Sequence, residues 1–539
     1  MQFGRKVKMK KRRLMAAVLA AGMLISMAGC GGPTAKTVSD IQPVAIEKSE
    51  YSNPIIKFRD EYGDPIYGGD PAVYVDGDTV YLYTGHDMST DKEVSERIYH
   101  IPEYLCYSST DLINWKQEGV VMDMQDVEWA RNSTSAWASQ VIKHHDPEQD
   151  KDLYYLYFCS WDKTARGKQS IGVAVSESPT GPFVDKGEPI VNGLITKPES
   201  SAFNDIDPTV WVETGDDGEE HRYLMWGNGI LYGCELNEDM TSVKDLNGDG
   251  EITYGIKPGT ADIYSRTNGL VSYTEAPWIY RRQDENGEYY GDYYLFFAYT
   301  WRENMAYAVT DDLLFGEWRD EGVFMPPTAT CNTNHEAIFD FKGKTYMMYH
   351  NGAQPGGNGY RRSACLQELT FGEDGTVKKV TESTKGLAGT SSTISLSTGE
   401  KIEHEPFVCS NDDADYPYVD IALGSGLSED AKDSSWVIIS GKSDEADENL
   451  VSIEAENKVG MFITATEDGT LVLSQDVDGK EPTALAQTFK TYEGLSGVEG
   501  EVTLESVSMP GYFLSLSNGV LTLTDAPEAA TSSFAIIAE

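Results

Sequence analysis

Tyr67-Gly68-Gly69-Asp70-Pro71-Ala72-Val73-Tyr74 closes a loop and opens a strand, and it sets a carboxylate at the strand's first residue. Take Asp70 as the head, with an apolar residue three places on (Val73). The figure returns at Ala138, in Trp137-Ala138-Ser139-Gln140-Val141, and at Asp207, in Asp207-Pro208-Thr209-Val210. It returns again at Glu275, in Glu275-Ala276-Pro277-Trp278, and at His335, in His335-Glu336-Ala337-Ile338. The steps are 68, 69, 68 and 60 residues. A fixed period with a strand at the head of each unit marks repeated supersecondary units.

Outward from each head, apolar runs separated by turn residues predict three or four antiparallel strands per unit. In the first unit these are Asp70–Val75, Thr79–Tyr83 after the turn Asp76-Gly77-Asp78, a run near Tyr104–Tyr107, and Trp115–Val121. A second figure supports the period: Ser108 to Trp115, Ser176 to Phe183 and Thr310 to Trp318 are polar turns that end on an aromatic. Five such units predict an all-β fold, a five-bladed β-propeller. Innermost strands begin near the axis of a propeller, so Asp70, Asp207, Glu275 and His335 are expected to ring one mouth of its channel. Asn53–Arg59 is expected to be a closing strand.

From about Leu387 the composition shifts toward Ser, Thr, Glu and Asp, and a different repeat begins. Ser435–Ile439, Thr488–Thr491 and Ser533–Ile537 read as equivalent unit ends, with aromatics at Trp436, Phe489 and Phe534. Val451–Asn457 parallels Val502–Ser508, and Gly460-Met461-Phe462-Ile463 parallels Gly511-Tyr512-Phe513-Leu514. Three units of about fifty residues predict a β-trefoil-like domain.

At 539 residues the chain is too long for one average core, and 31 tyrosines with 51 glycines favour strands and turns. The net charge of -44 argues against nucleic acid as a partner and suits a neutral ligand such as a sugar. Lys and Arg crowd positions 5–13, Leu14–Met27 is apolar, and Ala28-Gly29-Cys30 follows, which is the pattern of a secretory leader. Met27-Ala28-Gly29-Cys30 resembles a bacterial lipobox, which implies lipidation of Cys30 and a place on the extracellular face of the membrane, held there by the lipid alone. Loss of residues 1–29 removes seven basic residues, so the mature charge becomes -51, from -44 - 7. The polar stretch 31–50 reads as a tether. The remaining cysteines, Cys106, Cys159, Cys234, Cys331, Cys365 and Cys409, form no close CxxC pair, so a zinc site is not expected.

Asp70, Asp207 and Glu275 carry the chemistry. Hydrolysis of a glycosidic bond needs one carboxylic acid to protonate the leaving oxygen and one carboxylate to attack or to activate water. A third carboxylate nearby raises the acid's pKa by repulsion. The plainer reading, acids that only cap loops, suits one such residue better than three at one repeat position.

Gly69–Tyr74, Asp205–Trp211 with Leu224-Met225-Trp226-Gly227-Asn228, and Thr274–Tyr280 resemble glycoside hydrolase family 43, in the family's order and over about residues 50–385. The resemblance implies a five-bladed propeller and an inverting mechanism that needs no cofactor for its chemistry. By motif, Asp70 matches the general base, Glu275 the general acid and Asp207 the residue that tunes and orients the acid. His335 matches an axial histidine that sits beside a structural Ca²⁺. Arg362, in Arg361-Arg362-Ser363-Ala364-Cys365, matches an arginine that contacts the sugar or the base. Trp137, Trp226, Asn228 and Trp301 are pocket candidates. Blade two departs from the family with Trp137-Ala138-Ser139-Gln140, where many members have Trp-Ala-Pro-Asp or Glu. Residues 387–539 resemble the arabinose-binding β-trefoil of arabinofuranosidase B enzymes, through Val502–Leu514, but Ser515 stands where that family has a histidine.

A separate loop, Asp245-Leu246-Asn247-Gly248-Asp249-Gly250-Glu251, fits the start of a Ca²⁺ loop, although position twelve is Ile256 and the closing Glu is missing. The expected organisation is a lipoprotein signal peptide (1–30), the tether (31–50), a propeller hydrolase (51–385) and a carbohydrate-binding trefoil (387–539). The expected activity is release of terminal α-L-arabinofuranosyl units from arabinoxylan or arabinan of the plant cell wall. The alternatives are a β-xylosidase acting on xylo-oligosaccharides, and a catalytically dead glycan-binding lipoprotein.

Overall fold

The computed structural model describes residues 34–196, 203–215, 217–257, 259–406 and 420–539. The leader and Cys30 lie outside the described residues, as does Cys409.

Five separate sheets follow one another, one for each repeat, antiparallel throughout but for one short outer pair in blade three. Blade one comprises Gly68–Asp76, Thr79–His86, Glu103–Ser109 and Lys116–Asp123, and blade two Ser139–Asp146, Lys151–Trp161, Gln169–Ser176 and Val184–Asp185. Blade three has Thr209–Thr214, Glu220–Trp226 and Tyr232–Glu235, with two short outer strands, Ile263–Ser265 and Tyr254–Gly255. Blade four is Tyr273–Gln283, Tyr289–Tyr299, Asn304–Thr310 and Arg319–Met325, and blade five has only Ala337–Phe341, Lys344–Asn351 and Ser363–Glu368. Second strands lie between neighbouring sheets and are apolar on both faces. In blade two, Leu153 to Cys159 is an unbroken buried run. Such a run has no period of two, as expected for a strand covered on both sides.

The expected closing strand Asn53–Arg59 is instead an irregular segment. Ile55 N–H donates to Ala364 O (2.9 Å). The Asn53 side chain donates to Leu366 O (3.0 Å) and accepts from Leu366 N–H (3.0 Å). A side-chain amide takes the place of a ladder rung, and the segment begins with a cis Asn53–Pro54 bond.

The C-terminal region is a trefoil in its pairings. Ser392–Leu396, Ser435–Ser440, Leu450–Ala455, Phe489–Glu493, Glu501–Ser506 and Phe534–Ala538 pair in succession, and the last pairs back to the first. That ring of six strands is a closed barrel. Three hairpins cap it: Glu403–His404 with Ile421–Gly424, Met461–Ala465 with Leu471–Gln475, and Phe513–Ser517 with Val520–Thr524. Trp436, Phe489 and Phe534, the aromatics of the three unit ends, are fully buried together in its core.

The stretch read as a tether lies, over residues 34–50, along this barrel. Val44 N–H donates to Thr491 O (3.1 Å) and Ser49 N–H to Ile438 O (2.7 Å), while Ile41 is buried. The segment binds through its backbone and through Val44 and Ile46, which pack on the barrel core. The second hairpin of the trefoil packs on the blade-five loop Gly352–Gly357. Gln475 Nε2 donates to Gly352 O (2.6 Å) and Gly357 O (3.0 Å), and Gly356 N–H donates to Asp476 O (2.9 Å).

Candidate active site

The strand heads meet at one mouth of the propeller, around a cavity of about 530 Å³ walled by residues from all five blades. Asp70, Asp207, Glu275, His335, Arg362, Asn228, Trp137 and Trp301 all line it. The backbone that aims the acids is unusual. Asp70 and Asp207 have φ of 50° and 57°, and Ala276, directly after Glu275, has 56°. The inner-strand register shifts between Gly69 and Ala72, and again on both sides of Glu275. These bulges turn each carboxyl toward the axis, and non-glycine residues at positive φ are strain of a kind that gathers at functional sites.

Asp70 is held by an arginine clamp. Arg362 Nη1 donates to Asp70 Oδ1 (2.6 Å), Arg362 Nε to Asp87 Oδ2 (2.8 Å) and Nη2 to Asp87 Oδ1 (3.0 Å). The Tyr99 ring lies under the guanidinium, 5.0 Å from its centroid. Gly69 is required here, since a Cβ on it would fall 2.1 Å from Arg362 Nε. The Asp70 N–H donates to His350 Nδ1 (3.1 Å), whose Nε2 meets Thr333 Oγ1 (3.1 Å). Burial alone would push the Asp70 carboxyl up, but Arg362, then His350 and His335, outweigh it and hold it below its ordinary value.

The other two acids are treated oppositely. Burial first, then Glu275 and Asp70, push Asp207 well above the ordinary range, and its Oδ2 accepts from Ala276 N–H (3.0 Å). Burial also raises Glu275, against the pull of hydrogen bonds from Glu303 and Asn228. Asn228 Nδ2 donates to Glu275 Oε2 at 2.5 Å. The cavity therefore sets one carboxyl with a lowered pKa beside two with raised ones, a division that suits acid–base cleavage of an acetal.

Trp226 is a correction. It is fully buried and stacks on Tyr232, with its Nε1–H donating to Asp205 Oδ1 (2.7 Å), so it supports the wall from behind and does not face the cavity. Trp137 lies parallel to Phe203 (6.1 Å, 8°) on one wall, and Trp301 is 54% exposed on the rim. Burial lowers His335 to about 4, leaving a neutral imidazole in the wall. Among the described residues no group of three or more His, Cys, Asp or Glu side chains is arranged to hold a metal. In the 245–251 loop the expected ligand oxygens are taken by the turn's own amides. Asp245 accepts from Gly248 N–H (2.6 Å) and Gly250 N–H (2.8 Å), and Asp249 from Glu251 N–H (2.9 Å).

Asp87, His350, Glu303 and Trp161 were missed from sequence. Asp87 directly follows the second strand of blade one, Trp161 ends that of blade two, and His350 lies at the end of that of blade five. Trp301 was placed by its position after the second strand of blade four, and the ends of the second strands in blades one, two and five carry Asp87, Trp161 and His350.

A propeller whose mouth gathers an arginine-held carboxylate and two buried carboxyls of raised pKa is the apparatus of a glycoside hydrolase. Residues 51–377 match the family model Glycosyl hydrolases family 43, and the chain belongs to that family. Residues 413–535 match the Alpha-L-arabinofuranosidase B (ABFB) domain. A xylosidase/arabinosidase from Bacteroides ovatus is 28% identical over 340 residues, which is 58% of this chain and 94% of the relative. An arabinoxylan arabinofuranohydrolase from Paenibacillus polymyxa is 30% identical over 370 residues, 62% of this chain and 52% of the relative. A solved α-L-arabinofuranosidase from Clostridium thermocellum aligns with a TM-score of 0.43 at 29% identity, covering 58% of this chain and 92% of that one.

Proposed function

We propose that the protein removes terminal α-L-arabinofuranosyl units from arabinoxylan or arabinan in one displacement, with inversion at the anomeric carbon. The observation that carries this reading is the opposite treatment of two carboxyls in one cavity: Arg362 grips Asp70 at 2.6 Å and lowers its pKa, while burial raises that of Glu275. Asp70 takes a proton from a water whose oxygen bonds to the anomeric carbon. Glu275 gives its proton to the glycosidic oxygen as that C–O bond breaks. Asp207, bonded to Ala276 N–H, fixes the peptide that carries Glu275. Preference for arabinose is supported by the ABFB match and by the arabinofuranohydrolase relative.

A β-xylosidase is the second reading, favoured by relatives that carry both activities in their names. Chromatography of sugars released from arabinoxylan, arabinan and xylo-oligosaccharides, beside a Glu275→Ala control, separates the two. Arabinose alone supports the first reading, xylose the second, and no sugar from any of them favours a binding protein. Proton NMR of the first-formed anomer tests inversion.

We also infer that Cys30 is lipidated and holds the enzyme on the outer face of the membrane, from Met27-Ala28-Gly29-Cys30 at the end of an apolar leader. Cys30→Ser would then move the protein from the membrane fraction to the medium.

A further inference from the structure

Behind Glu275, outside the residues that line the cavity, lies a fourth carboxyl. Glu303 is 1% exposed and sits in the turn Thr300–Glu303, between the second and third strands of blade four. That turn is strained at two non-glycine residues, Thr300 (φ 61°) and Arg302 (φ 53°), and Trp301 between them reaches the cavity rim. Glu303 Oε2 accepts from Asn334 N–H at 2.7 Å. Its Oε1 is buried and finds no donor, and the carboxyl that Glu303 interacts with is that of Glu275. Two buried carboxyls in contact, one of them already accepting from a backbone amide, need a proton between them. Glu275 Oε2 is occupied by the Asn228 amide, so both carboxyls are pinned in place.

We propose that Glu303 is a positioning residue: a neutral carboxylic acid whose O–H is held against Glu275 and steadies the carboxylate that Glu275 becomes when it gives up its proton. This rests on Glu275 being the acid of the proposed reaction. The balance is simple. Glu275 passes its proton to the glycosidic oxygen, the bond's electron pair goes to that oxygen, and the Glu303 proton stays on Glu303 while its hydrogen bond to Glu275 shortens. Charge-assisted bonds of this kind are stronger than neutral ones, so the support acts in the transition state more than before it. The charged and titratable groups that face the pair are Asp70 on blade one, Cys159 on blade two, Asp207 on blade three, Arg362 on blade five, and Tyr273 and Cys331. Asp207 and Asp70 oppose ionisation of the pair and Arg362 favours it. Burial raises Glu303 above all other causes, with Glu275 next.

The test compares Glu303→Gln with Glu303→Met on a soluble aryl pentoside. Glutamine can accept from Asn334 N–H and donate to Glu275, so kcat is expected within about 3-fold of wild type, with the alkaline limb of kcat/KM in place. Methionine removes the donor. It is expected to lower kcat about 10–100-fold and to move the alkaline limb up by about one pH unit, because the Glu275 anion loses its support. A downward shift in Glu303→Gln, or an unmoved limb in Glu303→Met, overturns the proposal. Infrared difference spectra at about pH 8 read the same group without turnover. Wild type minus Glu303→Gln should show one protonated carboxyl band, and its absence overturns the proposal even if the methionine variant does not fold. Failure of the functional reading looks different: wild type releases no sugar, and the band is still present.

Discussion

Arg362 spends one arm of its guanidinium on Asp70, at 2.6 Å, and the rest on Asp87, which never reaches the cavity. The cation is fixed from behind by a residue with no contact to the reaction, so its charge stands at one place relative to Asp70. Lysine has no such fork. Arg362→Lys is therefore expected to raise the Asp70 pKa and to carry the acid limb of kcat/KM upward by about one to three units. A pH–rate profile with an unmoved acid limb would show that Arg362 serves the sugar and not the base.

Asp70→Asn and Glu275→Gln remove the two proton-transfer groups while keeping shape. Each is expected to lower kcat by about 10²–10⁴-fold with an unchanged circular dichroism spectrum. Equal losses on substrates with good and poor leaving groups in Glu275→Gln would contradict its role as the acid, since a good leaving group needs no proton.

Trp301 stands half-exposed at the rim, on the strained turn before Glu303. Trp301→Ala is expected to raise KM for polymer about 3–10-fold, from loss of an aromatic platform, with kcat little changed. Steady-state kinetics on arabinoxylan and on a short aryl pentoside separate this from a fault in the acid, which would lower kcat on both.

Glu382 and Glu454 lie buried where the propeller meets the trefoil, and burial raises each to about 7. Their native pKa lies above the unfolded value, so the native state binds these protons more tightly. Their contribution to stability is complete below about pH 4.5, falls as pH rises toward 7 and is flat above it. The size is on the order of 3 kcal/mol each. The double variant Glu382→Gln, Glu454→Gln is expected to gain thermal stability over wild type increasingly from about pH 5 to 7. A difference that does not vary with pH would refute it.

The third trefoil hairpin carries Gly511 and the exposed Tyr512, whereas the second is closed by the propeller: a Cβ on Gly460 would fall 2.7 Å from Ala353. Tyr512→Ala is expected to weaken retention in affinity gels containing arabinoxylan and to leave hydrolysis of a small aryl pentoside unchanged. Unchanged retention would assign the trefoil to packing.

The five strand heads were legible because an inner strand has one apolar face, one turn before it and a repeat to compare it with. Asp70, Asp207 and Glu275 share a register, and the structure brings them to one cavity. Trp226 misled because it stands in that neighbourhood by sequence while strand alternation turns it inward, onto Tyr232. Asp87 and Glu303 show their roles only through their partners, Arg362 275 residues away for Asp87 and Glu275 for Glu303. The tether reading passed over Ile41, Val44 and Ile46, apolar residues scattered through a polar stretch, of which Val44 and Ile46 pack on the barrel core.

The last of these contacts bears on how the molecule is made. Val44 accepts from the Thr491 hydroxyl across 447 residues, so the segment waits for a strand made long after it. Closure over such a span is slow, because the ordering cost precedes the reward. The segment would thus stay undocked while the propeller that lies between the two partners in sequence is made, and the trefoil would be locked after it.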